Sequence, residues 1–142
     1  MKLYLDTSSL IKLYHTEPGT VELDNILANE SLEDIFLSFI TVIEFNSAIW
    51  KKVRTKELSE EIALAIIDAF SNDYPNYKFV DINNDLIVTA KELVTKYAIH
   101  GLRTLDSIQL ASIISVKSEI SMAISADNLL NSLISLEGIN IG

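Results

Sequence analysis

Short apolar runs alternate with helix-period stripes along the whole chain, and no other feature limits the fold as tightly. Residues 2–5 (KLYL), 35–40 (IFLSFI), 78–82, 122–125 and 139–141 are predicted as strands. A short helix through Leu10, Ile11 and Leu13 follows the first strand. Pro18-Gly19 then precedes a second helix carrying Val21, Leu23, Ile26 and Leu27. Val42, Phe45 and Ile49 form a stripe reaching toward Val53. Ser59 caps a helix with Ile62, Ile66, Ile67 and Phe70 on one face, ended by Pro75. Asn83-Asn84-Asp85 opens a helix through Leu86, Ala90, Leu93, Val94 and Tyr97, with Gly101 as its stop. Thr104 starts another through Leu105, Ile108, Ala111 and Ile114, and the last begins near Asp127. Strands that alternate with helices imply an α/β fold, a parallel sheet of about five strands sandwiched by helices. No repeat or linker interrupts it, so residues 1–142 read as one domain.

Four carboxylates stand where an apolar run gives way to a helix start: Asp6, Glu44, Asp106 and Asp127. In an open parallel sheet, such points gather beyond the carboxyl ends of the strands, where sites form. Like charges gathered there call for a counter-ion, and hard oxygen ligands suit Mg²⁺ or Mn²⁺. The chain has no cysteine, and its two histidines, His15 and His100, are isolated, so a softer metal finds no cluster of ligands. The formal charge of −9 argues against broad, nonspecific adhesion to nucleic acid, so any RNA would be held locally. No apolar stretch approaches the roughly eighteen residues of a membrane span, and the N-terminus lacks a signal-peptide core. A soluble, cytoplasmic protein is the expectation.

Each acid alone has a plainer explanation. Asp6 and Asp127 are placed to cap helices, and Asp106 to offset a helix dipole. Thr41 and Glu44 have the spacing of a capping box. Capping accounts for four separate acids, but not for the strings of residues around them.

Those strings are LDTSSLIKLY at 5–14 with EPG at 17–19, TVIEFNSAI at 41–49, LRTLDSIQLA at 102–111 and SADNLL at 125–130. Together they resemble the four acidic motifs of PIN-domain nucleases, and most closely the VapC toxins of toxin–antitoxin pairs. Each motif is weak alone; four in order, over nearly the whole chain, are specific. The resemblance implies a five-stranded PIN-like sandwich and a Mg²⁺- or Mn²⁺-dependent endoribonuclease. Asp6, Glu44, Asp106 and Asp127 would be its metal-holding catalytic acids. Ser8 and Ser125 would be hydroxyls supporting the cofactor site. Metal-activated water would cleave the phosphodiester, leaving a 5′-phosphate and a 3′-hydroxyl. The chain departs from the pattern at Ser107-Ile108-Gln109, where relatives carry Ala and His; those side chains are not expected to be metal ligands, and the departure is expected to change little. The fourth motif is also poorer in basic residues than usual, and the family's fourth acid is the most variable in role, so Asp127 is the least secure ligand.

Arg103 and Lys12 are candidate contacts to substrate phosphate, with a solvated cation as the alternative for each. Lys51, Lys52, Arg54 and Lys56 form the one dense basic run, with Trp50 beside it. A solvated helix end, with Trp50 in the core or at a dimer contact, is preferred there to an RNA track. Tyr4, Tyr14, Phe36 and Phe39 are read as core. The resemblance further implies a homodimer held inactive by a cognate antitoxin protein, with the apolar hairpin between Val42 and Phe70 as a candidate groove. An acidic chain would suit a basic inhibitor segment.

Other classes fit less well. Ser8 stands where a dehalogenase-type phosphotransferase needs a second acid, a receiver domain's early acidic pair is missing, and no glycine-rich first turn binds a dinucleotide. The rival that survives is a non-catalytic or structure-specific PIN module that binds nucleic acid.

Overall fold

Leu3, Tyr4 and Leu5 are fully buried in the computed structural model, which describes residues 1–29 and 31–142. Burial on both faces puts their strand, β1 (Lys2–Leu5), in the middle of a parallel sheet. β2 (Asp34–Ser38) and β4 (Met122–Ile124) flank it, and β3 (Lys78–Val80) lies outside β2, giving the order β3-β2-β1-β4. Tyr4 pairs with Phe36 on one side and Ala123 on the other.

Alternate side chains of β1 feed two separate cores, as a two-residue repeat requires. Leu3 and Leu5 face α1 (Thr7–Ile11), α2 (Thr20–Leu27), α3 (Thr41–Arg54) and α4 (Glu60–Asp73). Tyr4 faces α5 (Asn84–Lys96), α6 (Thr104–Ser115) and α7 (Asn128–Leu136). The first core holds an aromatic cluster: Phe70 lies 4.5 Å from Phe45 and 5.6 Å from Tyr14, ring centre to ring centre. The Tyr14 hydroxyl donates to Asp73 at 2.7 Å, so its polar tip is satisfied at the edge of that cluster.

The α/β sandwich expected from the sequence is present, with two kinds of correction. Among the described residues four strands form the sheet, not five. Residues 139–141 contribute only a bridge between Ala123 and Ile141, supported by Asn140 and Gly142 on either side, too few ladder bonds to make a strand. Several residues assigned to apolar stripes also face outward. Val21, Ile62, Val94 and Leu105 are at least a third exposed, because an apolar stripe wider than its contact leaves its margins in solvent. Phe39, read as core within the second apolar run, lies just past the end of β2 and is half exposed. Its ring packs on Phe79, 5.7 Å away. Trp50 is half-buried. Among the described residues, no helix is long and apolar enough to cross a membrane.

Candidate active site

Asp6 leaves β1 at its carboxyl end and caps α1, accepting the Ser9 N–H at 2.9 Å. The capping expectation therefore holds, yet it accounts for only part of what surrounds the carboxylate. Ser8 Oγ donates to it at 2.7 Å, and Ser125 Oγ, from the loop after β4, donates at 2.5 Å. Ser125 in turn accepts the Asp127 N–H at 2.9 Å, and Ser8 accepts that of Ala126 at 3.0 Å. Ser8 and Ser125 thus tie the first acid to the turn carrying the fourth. Asp6 is 4% exposed, and no ion pair is formed by it among the described residues. Burial raises its pKa, against the opposing effect of these hydrogen bonds.

Glu44 lies in the first turn of α3, but the capping box is not formed. The helix is capped at Ile40 without a side-chain bond, and the Thr41 hydroxyl, fully buried, turns instead toward Thr7 at 3.1 Å. Glu44 Oε1 accepts from Thr7 Oγ1 at 3.0 Å and from Gln109 Nε2 at 2.7 Å. Burial raises the Glu44 pKa; these two bonds oppose the rise, and the charges of Asp106 and Asp6 add to it. Asp106, half-buried in the first turn of α6, is raised by burial, then by Asp127 and Asp6, with Arg103 opposing. Asp127 is exposed and caps α7, accepting the Leu130 N–H at 2.8 Å.

At the carboxyl edge of the sheet, Glu44 therefore lies within electrostatic reach of Asp106 and Asp6, and Asp106 within reach of Asp127 and Asp6. Repulsion couples Asp6, Glu44, Asp106 and Asp127, yet no three carboxylates among the described residues converge closely enough to hold an ion as the side chains stand. Charge repulsion acts across the pocket, whereas holding an ion requires the carboxylates to converge to contact distance. The donor set is all oxygen, anionic and without a compensating cation in contact, which fits a hard divalent ion.

A cleft of about 570 Å³ opens beside these acids, lined by Glu44, Asp106, Arg103, Leu102, Leu105 and Val94. Arg103 is exposed on its rim, where its charge reaches Asp106. Lys12 is not in this cleft; its ammonium donates to the Pro18 carbonyl at 2.7 Å. A neighbouring hollow of about 270 Å³ shares Glu44 and Leu105 and adds Ile43, Ala48, Lys51 and Arg54. A separate hollow near the start of α5, about 370 Å³, contains none of the four acids.

Sequence reasoning missed Gln109, treated as a departure of little effect. It is 2% exposed and touches Glu44, Thr7, Thr41 and Tyr4. Its signal was available: an amide three residues after Asp106, in a helix whose other residues are mostly apolar or small, needs polar partners if it is buried.

The model of the PIN domain family matches residues 3–133. No curated protein matches the chain in sequence. Among solved structures, VapC20 of Mycobacterium tuberculosis, described as a sarcin–ricin-loop-cleaving toxin, superposes with a TM-score of 0.71 at 15% identity. That match covers 92% of this chain and 94% of the other. FitAcB from Neisseria gonorrhoeae gives 0.73 at 14% identity, covering 98% and 95%. DNA-bound VapBC from Salmonella typhimurium gives 0.65 at 19% identity, covering 100% and 97%. At these identities the likeness is one of fold.

Proposed function

The chain belongs to the PIN-domain family, and from that premise we propose that it is a metal-dependent endoribonuclease, the toxin of a toxin–antitoxin pair. One observation carries the reading: four acids from four separate elements, linked through the charge of Asp106, lie beside an open cleft with no ion pair to neutralise them among the described residues. A bound Mg²⁺ or Mn²⁺ would supply the activated water and neutralise charge at the phosphate.

The protein's own residues do the rest. Asp6, Asp106 and Glu44 would hold the ion, with Asp127 completing the site from the α7 cap. Ser8 and Ser125 hold the Asp6 carboxylate in one orientation, so little ordering remains when the ligand arrives. Arg103 stands at the rim to receive a substrate phosphate, supplying locally the positive charge that the chain lacks overall. No serine, cysteine or histidine is needed as a nucleophile.

The antitoxin is proposed because solved neighbours are described as VapBC complexes, and because Ile43 and Leu105 expose apolar surface beside Glu44. A homodimer is proposed on the family resemblance alone.

A second reading, a PIN module that binds RNA without cutting it, is favoured by the absence of any tight three-carboxylate cluster among the described residues. One experiment separates the two. Purified protein is incubated with structured and single-stranded RNAs in Mg²⁺, Mn²⁺ or EDTA, beside Asp6→Asn. Metal-dependent cleavage lost in the variant supports the nuclease. RNA binding without cleavage, from folded protein, supports the binding module.

A further inference from the structure

We propose that Gln109 is a positioning residue that locks Glu44 in place and leaves one of its carboxylate oxygens free for the metal. The inference rests on the nuclease reading above and names a role within the same site.

Four contacts determine how the Gln109 amide is oriented. The Tyr4 hydroxyl reaches Oε1 at 2.5 Å, while Nε2 lies 2.7 Å from Glu44 Oε1, 3.0 Å from Thr41 Oγ1 and 3.2 Å from Thr7 Oγ1. A carboxylate only accepts, so the nitrogen must face Glu44. Tyr4 is fully buried and has one proton to give, so the amide oxygen must face Tyr4. Nε2 carries two hydrogens, and the two shorter contacts assign them to Glu44 and Thr41. Thr41 is then free to donate to Thr7 at 3.1 Å, and Thr7 to Glu44 Oε1 at 3.0 Å.

Every donor in this chain runs the same way. It starts at Tyr4 in the middle of the sheet and ends, by two routes, on Glu44 Oε1. Oε2 takes no hydrogen bond from the described residues. The consequence is mechanical as well as electrostatic. A glutamate side chain has three torsions to freeze, and anchoring one oxygen freezes them before any ligand binds. Outer hydrogen bonds of this kind orient the groups that hold a metal, and losing one commonly costs about tenfold to a hundredfold in affinity or rate.

The space that Gln109 fills does not itself require an amide, although removing it leaves the buried Tyr4 and Thr41 hydroxyls each short of a partner. Methionine has nearly the same length and volume and would suit the buried side of α6. The test therefore uses the full-length protein as wild type, Gln109→Met, Gln109→Asn, Thr41→Val and Tyr14→Phe. The last removes a hydroxyl from the aromatic cluster, away from the acids. Mn²⁺ affinity is measured by calorimetry, RNA cleavage by separate kcat and KM, and folding by circular dichroism and Tm.

In Gln109→Met we expect Mn²⁺ binding weakened about tenfold or more and kcat lowered similarly, with KM for RNA changed less than about twofold. Thr41→Val should move both readouts in the same direction by less, since Gln109 still reaches Glu44. Tyr14→Phe should alter Tm alone. A folded Gln109→Met with wild-type Mn²⁺ affinity and kcat overturns the inference. If Gln109→Met does not fold, Gln109→Asn decides, since it keeps the amide but shortens its reach toward Glu44 by one methylene: wild-type Mn²⁺ affinity and kcat there overturn it equally. Wild type that binds Mn²⁺ without cleaving RNA refutes the nuclease reading and leaves Gln109 to be judged on Mn²⁺ affinity. Wild type that binds no Mn²⁺ overturns both.

Discussion

The Ser125 hydroxyl donates to Asp6 at 2.5 Å across 119 positions of sequence, binding the end of the fourth strand to the end of the first. The same oxygen accepts the Asp127 N–H, so one hydroxyl sets the distance between two acids of the site. Ser125→Ala removes both bonds and leaves a buried carboxylate short of a donor. A loss of about 2 kcal/mol in denaturant-derived stability is expected, together with slower cleavage. Equilibrium unfolding in urea at neutral pH checks the first, and unchanged stability would show that a water replaces the hydroxyl at no cost.

Asp6→Asn and Asp106→Asn should abolish cleavage while leaving the metal-free protein as stable or more so. Asp6, Glu44 and Asp106 all have pKa values raised by burial and, for Glu44 and Asp106, by neighbouring charge. The folded state then binds protons more tightly than the unfolded chain. Stability from these groups is full below the ordinary carboxylate range and is lost as pH rises through the raised values. In EDTA, Tm should therefore fall with rising pH over that window, less steeply in either variant. Added Mn²⁺ should raise the wild-type Tm most at higher pH, where the acids are ionised. Parallel pH–Tm curves for wild type and variants would show that these acids are not the cause.

Asp127 has two separable roles. Asparagine keeps an oxygen for the Leu130 N–H, whereas alanine does not. Asp127→Ala should cost about 1 kcal/mol of stability, and Asp127→Asn much less. If Asp127 also holds metal, both variants lose cleavage alike. Full activity in Asp127→Asn would reduce this acid to a helix cap.

Arg103→Ala should weaken RNA binding at every sequence tested and lower the slope of log K against log salt by about 1, the signature of one phosphate contact. An unchanged slope from filter binding across salt would return Arg103 to solvent.

Phe70→Ala is expected to destabilise by about 3–5 kcal/mol, because Phe70 is 1% exposed and packs against Phe45, Tyr14, Tyr74 and Tyr77. Calorimetry gives the value, and a loss below about 1 kcal/mol would mean the cluster collapses around the gap.

Local pattern carried much of this protein. The apolar run at 2–5 and the helix starts at Ser59 and Asn83 are set by residues close in sequence, so the α/β alternation could be read directly. Gly101, expected to stop α5, instead caps the 3-10 turn Ala98–His100 that follows it. The positions of the four acids at those junctions followed from the same alternation, because parallel strands bring their carboxyl ends to one edge. The capping of α1 by Asp6 and of α7 by Asp127 is equally local. Pattern failed where the deciding partner lay far along the chain. Thr41 and Glu44 have capping-box spacing, yet Thr7 and Gln109, 34 and 65 positions distant from their respective partners, turn both side chains elsewhere. Residues 139–141 have a strand's composition, but only β4 could decide how much of a ladder they form, and it accepts one bridge. Sequence by itself determined which residues are apolar, where the chain turns, and that its acids sit at those turns. Tertiary structure alone decided which buried hydroxyl and amide groups meet, since a buried polar group must find a partner wherever the folded chain places one.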